Sequence, residues 1–376
     1  MRLEATELTR IERDLQDEVR SWLDQRLPEG SYPLGLGMAG AVDPEFSRDL
    51  GGRGWLGMSL PTEYGGHGRT AVDRLVVVEA LLAKGAPVGY HWIADRQSGP
   101  SIAANGTDFQ KQQILPGIAR GELSFSIGMS EPDSGSDLAS VRTRAEKVDG
   151  GWLVNGAKIW TTGAYTATHI LSLFRTSEDR HNGLTQFIVD RHAPGLTVSP
   201  IEFIDGSKDF CELSFVDVFI DDTWRLGLVG AGWSQNTGEL ALERGGVDRW
   251  MSAMPVLERW AARESTGARE SVASDLGSIA ARCWAFRGMS LAVARMVDDG
   301  KSPVIEAALV KEMATRFEQE CVEIVTRHLG RPPRQDSDDP EERLLATAVQ
   351  VAPSWSIRGG TNEILRSVIS KGLRTR

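Results

Sequence analysis

The sequence predicts an α+β fold, mainly α, in the order helical, β, helical. Residues 5–120 space their apolar side chains every three or four positions, as an amphipathic helix does. From 123 the period is two, as in a half-buried strand, and from 233 the helical period returns. Asp149-Gly150 lies between two alternating runs, a strong hairpin signal. A length of 376 residues suits two or three domains, and the changes of texture divide it at 1–122, 123–229 and 230–376.

In the first segment Leu8, Ile11, Leu15, Val19 and Leu23 share one helical face, and Pro28 and Gly30 end the helix. Residues 73–84 and 108–119 read as two more helices, and LPTEYGGHG (60–68) as a turn-rich loop. In the second segment the runs 141–148, 152–156, 168–175, 184–190, 196–204 and 211–220 read as strands of an all-β domain. In the third, Ser302-Pro303 opens a helix with proline at its first position. Ile305, Leu309, Met313, Phe317, Cys321 and Ile324 line its apolar face. RPPRQDSDDPEER (331–343) carries three prolines and five acids and reads as an exposed loop.

Composition narrows the function. With 11 Trp and 11 Phe the chain holds too much apolar surface to stay disordered. A net charge of −10 argues against a general nucleic-acid binder, which needs a basic face. The three cysteines, Cys211, Cys283 and Cys321, are far apart and lack zinc or disulfide-framework spacing. None of the six histidines forms HExxH, and no P-loop, GxGxxG or GxSxG occurs, so no metal is expected. The first residues lack the apolar core of a signal peptide, and no run approaches the roughly 18 apolar residues of a membrane span. A cytoplasmic protein without membrane insertion is the expectation.

Four stretches can carry chemistry. IGMSEPDSGSD (127–137) offers hydroxyls and backbone N–H groups that suit a phosphate or a polar ring edge; it also reads as a plain Ser/Gly loop. NGAKIWTTGA (155–164) is either core packing or an aromatic wall with hydroxyls beside a planar cofactor. ELALERGGVDRW (239–250) runs a helical pattern through Gly245-Gly246, which costs roughly 1 kcal/mol per glycine relative to alanine, so close approach of a ligand is one reason for them. Glu243 beside a flat apolar ligand suits a general base; a surface Glu-Arg pair is the plain alternative. IRGGTNEILRSVI (357–369) places Gly359, Gly360 and Thr361 at a helix start, either a polar-edge site or a simple cap.

Taken in order, LPTEYGGHG, MSEPDSGSDLASVRTRA, NGAKIWTTGA and RGGTNEILR closely resemble the motifs of the acyl-CoA dehydrogenase family, over essentially the whole chain. The resemblance implies an N-terminal helical domain, a central β-barrel domain and a C-terminal four-helix bundle. It implies FAD, with the flavin between β domain and bundle. By resemblance Met129 and Ser130 would contact the ring, and Ser136 would lie near the pyrophosphate or CoA. Trp160 would shield one flavin face, Thr162 would reach the N5 edge beside Thr161, and Gly360, Thr361 and Glu363 would approach from the C-terminal side. It also implies an acyl-CoA substrate, α-proton abstraction with β-hydride transfer to flavin N5, and an electron-transfer flavoprotein or similar acceptor.

Many members carry a glutamate directly before the C-terminal GT; here that position is Gly359. A branch that includes isovaleryl- and long-chain-type enzymes carries it on a bundle helix, which matches Glu243 as base and Arg244 as a CoA-side contact. Glu239 lies one turn earlier as the second candidate. Gly359, His91 and Trp92 are expected at the substrate, with Arg96 nearby. Two adenosine-binding stretches depart from the family. ARESTGA (262–268) keeps Arg263 as a cofactor contact but has Thr266 for phenylalanine, and 331–343 replaces a glycine-rich stretch. A homo- or hetero-oligomer, a dimer of dimers, is therefore expected, with a partner chain completing the cofactor site in the hetero case. The alternatives are a half-site subunit without activity, and a related flavin oxidase, monooxygenase or carrier-protein thioester dehydrogenase.

Overall fold

The computed structural model describes residues 3–38, 41–236, 244–264 and 270–374. The chain forms two compact units, one of Met1–Ala41, Thr70–Pro87 and Leu240–Arg376, the other of Val42–Arg69 and Val88–Glu239.

The first unit is helical. Its helix α1 (Arg10–Arg26) starts on a capping box, in which Glu12 Oε2 accepts the Thr9 N–H at 2.7 Å. Leu8, Leu15, Val19 and Leu23 are buried as expected, but Ile11 is 78% exposed, at the edge of the stripe. The later helices are α6 (Met254–Glu264), α7 (Glu270–Asp298), α8 (Val304–Leu329), α9 (Pro340–Trp355) and α10 (Asn362–Arg374). The second helix of the unit, α3 (Ala71–Lys84), is buried continuously from Leu75 to Leu82. Glu79 on α3 accepts from Gln16 of α1 at 2.7 Å and from Arg287 of α7 at 2.5 Å, tying three helices through one carboxylate.

Helix α8 buries the C-terminal part of the expected face and, beside it, a polar stripe. Phe317, Cys321 and Ile324 are buried, but Met313 is 43% exposed, while Lys311, Thr315 and Glu318 are fully buried. The Gly245-Gly246 pair also has another reason. No helix runs through it; a Cβ on Gly245 would stand 2.4 Å from Val293 Cγ1, so the glycine lets the chain pack tightly on α7.

The second unit holds the sheet. Helix α2 (Pro44–Gly52) is capped by Asp43, whose Oδ1 accepts from Glu45 and Phe46 N–H at 3.0 and 2.9 Å. Helices α4 (Gly99–Asn105) and α5 (Asp108–Ala119) follow a π-helical turn at Ala94–Ser98. Strands β1 (Phe125–Gly128), β2 (Arg144–Val148), β3 (Gly151–Thr162), β4 (His169–Arg175), β5 (Leu184–Asp190), β6 (Leu196–Ile201), β7 (Phe210–Asp221) and β8 (Arg225–Leu226) form one sheet of order β6-β7-β3-β2-β4-β5-β8, with β1 parallel to β4. The β2–β3 hairpin turns at Asp149-Gly150, where Gly150 takes φ +72°. Trp152, Phe174, Phe187, Phe215 and Ile220 fill its interior, with Phe174 5.1 Å from Phe215 and 5.7 Å from Phe187. That core sets the height and direction of β3, the strand on which the site is built.

Candidate functional site

Strand β3 alternates inward from Trp152 through Val154 to Lys158, which is fully buried. Continued alternation would bury residue 160. A β-bulge between Lys158 and Thr161 prevents it: the bulge inserts one extra residue against β7 and holds Trp160 at φ +60°. Trp160 is thereby turned outward, 53% exposed, with Phe210 against it edge-on at 6.2 Å. Thr161 is turned inward and fully buried, so its side chain does not join Trp160 on the outer surface as the motif suggests. Its Oγ1 has no hydrogen-bond partner among the described residues. Thr162 is half-buried beside it.

The 129–137 loop is pinned to this strand from inside. Lys158 Nζ reaches Glu131 Oε1 at 2.8 Å and the Met129 carbonyl at 3.0 Å. Glu131 also accepts the Arg142 and Thr143 N–H groups, at 2.6 and 2.9 Å, and the Ile159 N–H donates to the Ser130 carbonyl at 2.9 Å. Burial pushes Lys158 down to about 8, against the pull of Glu131. Met129 and Ser130 are left half-buried, Ser136 exposed, and Ser134 turned in onto the Asp137 carbonyl at 2.8 Å. Glu131 and Lys158 lie inside the motifs yet were not singled out; the parity of β3 was the available signal for Lys158.

In the helical unit, Gly359 and Gly360 take φ +68° and +94°, two successive left-handed residues that only glycine adopts readily. Arg244 is buried and its Nε–H donates to the Gly359 carbonyl at 3.0 Å, so it acts on this turn. Lys311 Nζ donates to the Gly360 carbonyl at 2.6 Å, the Ser356 carbonyl at 3.0 Å and Asn362 Oδ1 at 3.1 Å. In a planar trans peptide the carbonyl and the following N–H point opposite ways. Holding the Gly359 and Gly360 carbonyls therefore aims the Gly360 and Thr361 N–H groups. Gly359, Gly360 and Thr361 N–H have no acceptor among the described residues. Thr361 is half-buried and Glu363 exposed on the first turn of α10. Lys311, Glu318 and Arg358 were missed because a lysine or glutamate within a helical pattern reads as solvated.

Other expected residues lie elsewhere. His91 is 3% exposed, with Nδ1 2.8 Å from Ser47 Oγ. Trp92 is equally buried, its Nε1 without a hydrogen-bond partner among the described residues, and the Arg96 guanidinium lies 5.7 Å from its ring. Arg263 on α6 is engaged by Asp339 at 3.0 Å and Glu341 at 3.5 Å. Glu239, Glu243 and Thr266 lie outside the described residues. Among the described residues no group of three or more His, Cys, Asp or Glu side chains could hold a metal, and no helix is long and apolar enough to cross a membrane.

Family models for the acyl-CoA dehydrogenase N-terminal, middle and C-terminal domains match residues 9–122, 126–218 and 230–374. The chain belongs to the acyl-CoA dehydrogenase family. Acyl-CoA dehydrogenase FadE26 of Mycobacterium tuberculosis is 31% identical, across 91% of this chain and 88% of that protein. FadE29 of the same organism is 29% identical, across 97% and 96%. The Tcur3481-Tcur3483 steroid ACAD superposes with a TM-score of 0.88 at 26% identity, covering 100% of this chain and 99% of that one. A chain of the ChsE4-ChsE5 complex from M. tuberculosis gives 0.81 at 29% identity, covering 98% and 97%. This acyl-CoA dehydrogenase is thus an FAD-dependent oxidoreductase that introduces an α,β double bond into an acyl-CoA thioester. The outward indole of Trp160, with half-buried Met129, Ser130 and Thr162, fits a planar ring carrying polar edges. Arg263 meets two carboxylates through Nη1 alone, and its side chain stays 59% exposed.

Proposed function

We propose that the Gly359–Thr361 turn binds the thioester carbonyl and that Glu243 removes the α-proton. The carrying observation is the pair of N–H groups, of Gly360 and Thr361, whose directions Arg244 and Lys311 set. The α-proton of a thioester is weakly acidic, and donors fixed beforehand stabilise the enolate oxygen as charge develops. Bound FAD supplies the hydride acceptor. Trp160 covers one ring face, and Met129, Ser130 and Thr162 hold the ring's polar edge. Ser136 belongs to the pyrophosphate or CoA side, and electrons leave to an electron-transfer flavoprotein or similar acceptor. With Gly359 where many relatives carry glutamate, the base falls to Glu243, and Glu243→Gln should keep FAD but reduce flavin about 1,000-fold more slowly with substrate. Rapid anaerobic bleaching in that variant would refute the assignment.

The steroid ACAD among the neighbours supports a ring-bearing or branched acyl group. Anaerobic flavin reduction against straight, branched and ring-bearing acyl-CoAs tests this; fastest reduction by a short straight chain would reject it. A second reading concerns assembly: the chain works as one subunit of a hetero-oligomer. It is favoured by the carboxylate hold on Arg263, and by two neighbours that pair two named chains.

A further inference from the structure

We infer that Glu318 and Arg358 are a positioning pair that fixes the Gly359–Thr361 turn in its working geometry; this rests on the reading of that turn as the thioester site. Arg358 directly precedes the turn. Its Nη2 donates to Glu318 Oε2 at 2.6 Å, to Ser252 Oγ at 2.8 Å and to the Asp248 carbonyl at 3.2 Å. The other carboxylate oxygen of Glu318 accepts the Ser252 N–H at 2.8 Å. Glu318 is fully buried on α8, so one carboxylate joins three parts of the helical unit: α8, the 248–252 segment and the turn.

The turn needs such an anchor. Two consecutive glycines resist rotation less than any other pair of residues. Lys311 ties Ser356, Gly360 and Asn362 to α8 and Arg244 holds the Gly359 carbonyl; Arg358 adds a tie to α8 and to the 248–252 segment directly ahead of the glycines. A buried ion pair is weak grounds for stability, because an apolar pair of similar volume often serves the fold as well or better. Its presence beside a turn whose three N–H groups have no acceptor among the described residues points to placement. Arg358 also fits no lesser explanation at the surface, since its side chain is only 15% exposed.

The test uses the FAD-loaded protein. Single removal of Glu318 strands a buried guanidinium, so the informative variant is the double Glu318→Met/Arg358→Met, which replaces the pair by apolar volume. Arg358→Lys, which keeps the charge but on a shorter side chain that cannot carry a donor to where Nη2 meets all three acceptors, is the second variant should the double fail to fold. Three readouts are taken: melting temperature, amide hydrogen exchange of peptides covering 356–366, and kcat and KM with the best acyl-CoA. The expected result is a melting temperature near wild type, exchange about tenfold faster at the hydrogen-bonded amides that flank the turn, Ile357 and Leu365, and kcat lowered about 100-fold with a smaller change in KM. Unchanged exchange would overturn the positioning role. Faster exchange with normal kcat and KM would instead show that the turn is not the thioester site, and the catalytic part of the inference would fall with that reading.

Discussion

At the residue scale, the site depends on a few side chains whose direction is decided by one local irregularity. Without the bulge at Lys158–Thr161, Trp160 would pack inside the sheet. Because it stands outward, removing it should hardly touch the fold. Trp160→Ala is expected to shift stability by less than about 0.5 kcal/mol and to weaken FAD binding about tenfold, the loss of roughly 1.4 kcal/mol of ring stacking. Flavin fluorescence titration checks it, and unchanged affinity would exclude Trp160 as the flavin wall. Lys158 is the opposite case, a charge inside. Lys158→Met leaves Glu131 buried without its cation and should destabilise the protein by about 3–5 kcal/mol, read from urea unfolding. A midpoint equal to wild type would mean that Glu131 is held adequately by the Arg142 and Thr143 amides alone.

At the scale of elements, hydrophobic period marks six of the eight strands and helices α1, α3, α5 and α8, but gives no run for β1, β8 or the 29-residue α7, and it misleads where polar residues are inside. The runs at 108–119 and 184–190 match α5 and β5 end to end. Helix α2 is hard to read, because PEFSRDLGG is short and ends in two glycines; its cap Asp43 and Pro44 at its first position are its marks. On helix α8 the apolar period gives Phe317, Cys321 and Ile324 but not the polar half of the inward surface, Lys311, Thr315 and Glu318. The same residues explain why the motif glycines were visible but the machinery behind them was not: a sequence shows the turn, not the distant cation that holds it. The 331–343 stretch shows the converse. It reads as open loop, yet Glu342 gathers Arg331, the Arg334 N–H and the Ser337 hydroxyl, and Arg334 pairs with Asp336. The Arg331 hydrogen bond, first among several, pulls Glu342 down to about 2. A depressed carboxylate adds stability above its unfolded value, near 4.5, and loses it as pH falls toward 2. Cleavage by an acid protease within 331–343 should therefore rise between those two pH values. Glu342→Gln should bring similar susceptibility to neutral pH, tested with a neutral protease; equal resistance of both proteins would dismiss the clasp.

At the scale of the whole molecule, the acidic balance acquires a local meaning. The chain carries a net charge of −10, and five of its acids lie in 331–343. Three of them, Asp336, Asp339 and Glu342, form ion pairs within the helical unit, and Glu341 joins Asp339 on Arg263. Asp339 and Glu341 are therefore not bare charges: both meet Arg263, the arginine proposed for the adenosine side of the cofactor. A chain whose adenosine-side arginine is occupied should bind FAD poorly by itself. Expressed alone, the protein is expected to carry well under one FAD per chain, measured by flavin absorbance after denaturation against protein concentration. Co-expression with a cognate second chain should raise that ratio and yield one mixed assembly in sedimentation velocity. Releasing Arg263 by Asp339→Asn/Glu341→Gln should raise flavin content of the lone chain, if the hold on Arg263 is what limits it. A homotetramer with one FAD per chain, obtained without any partner, would reverse this conclusion. The replaced 331–343 stretch would then be a different solution to the same binding problem rather than the mark of a shared site.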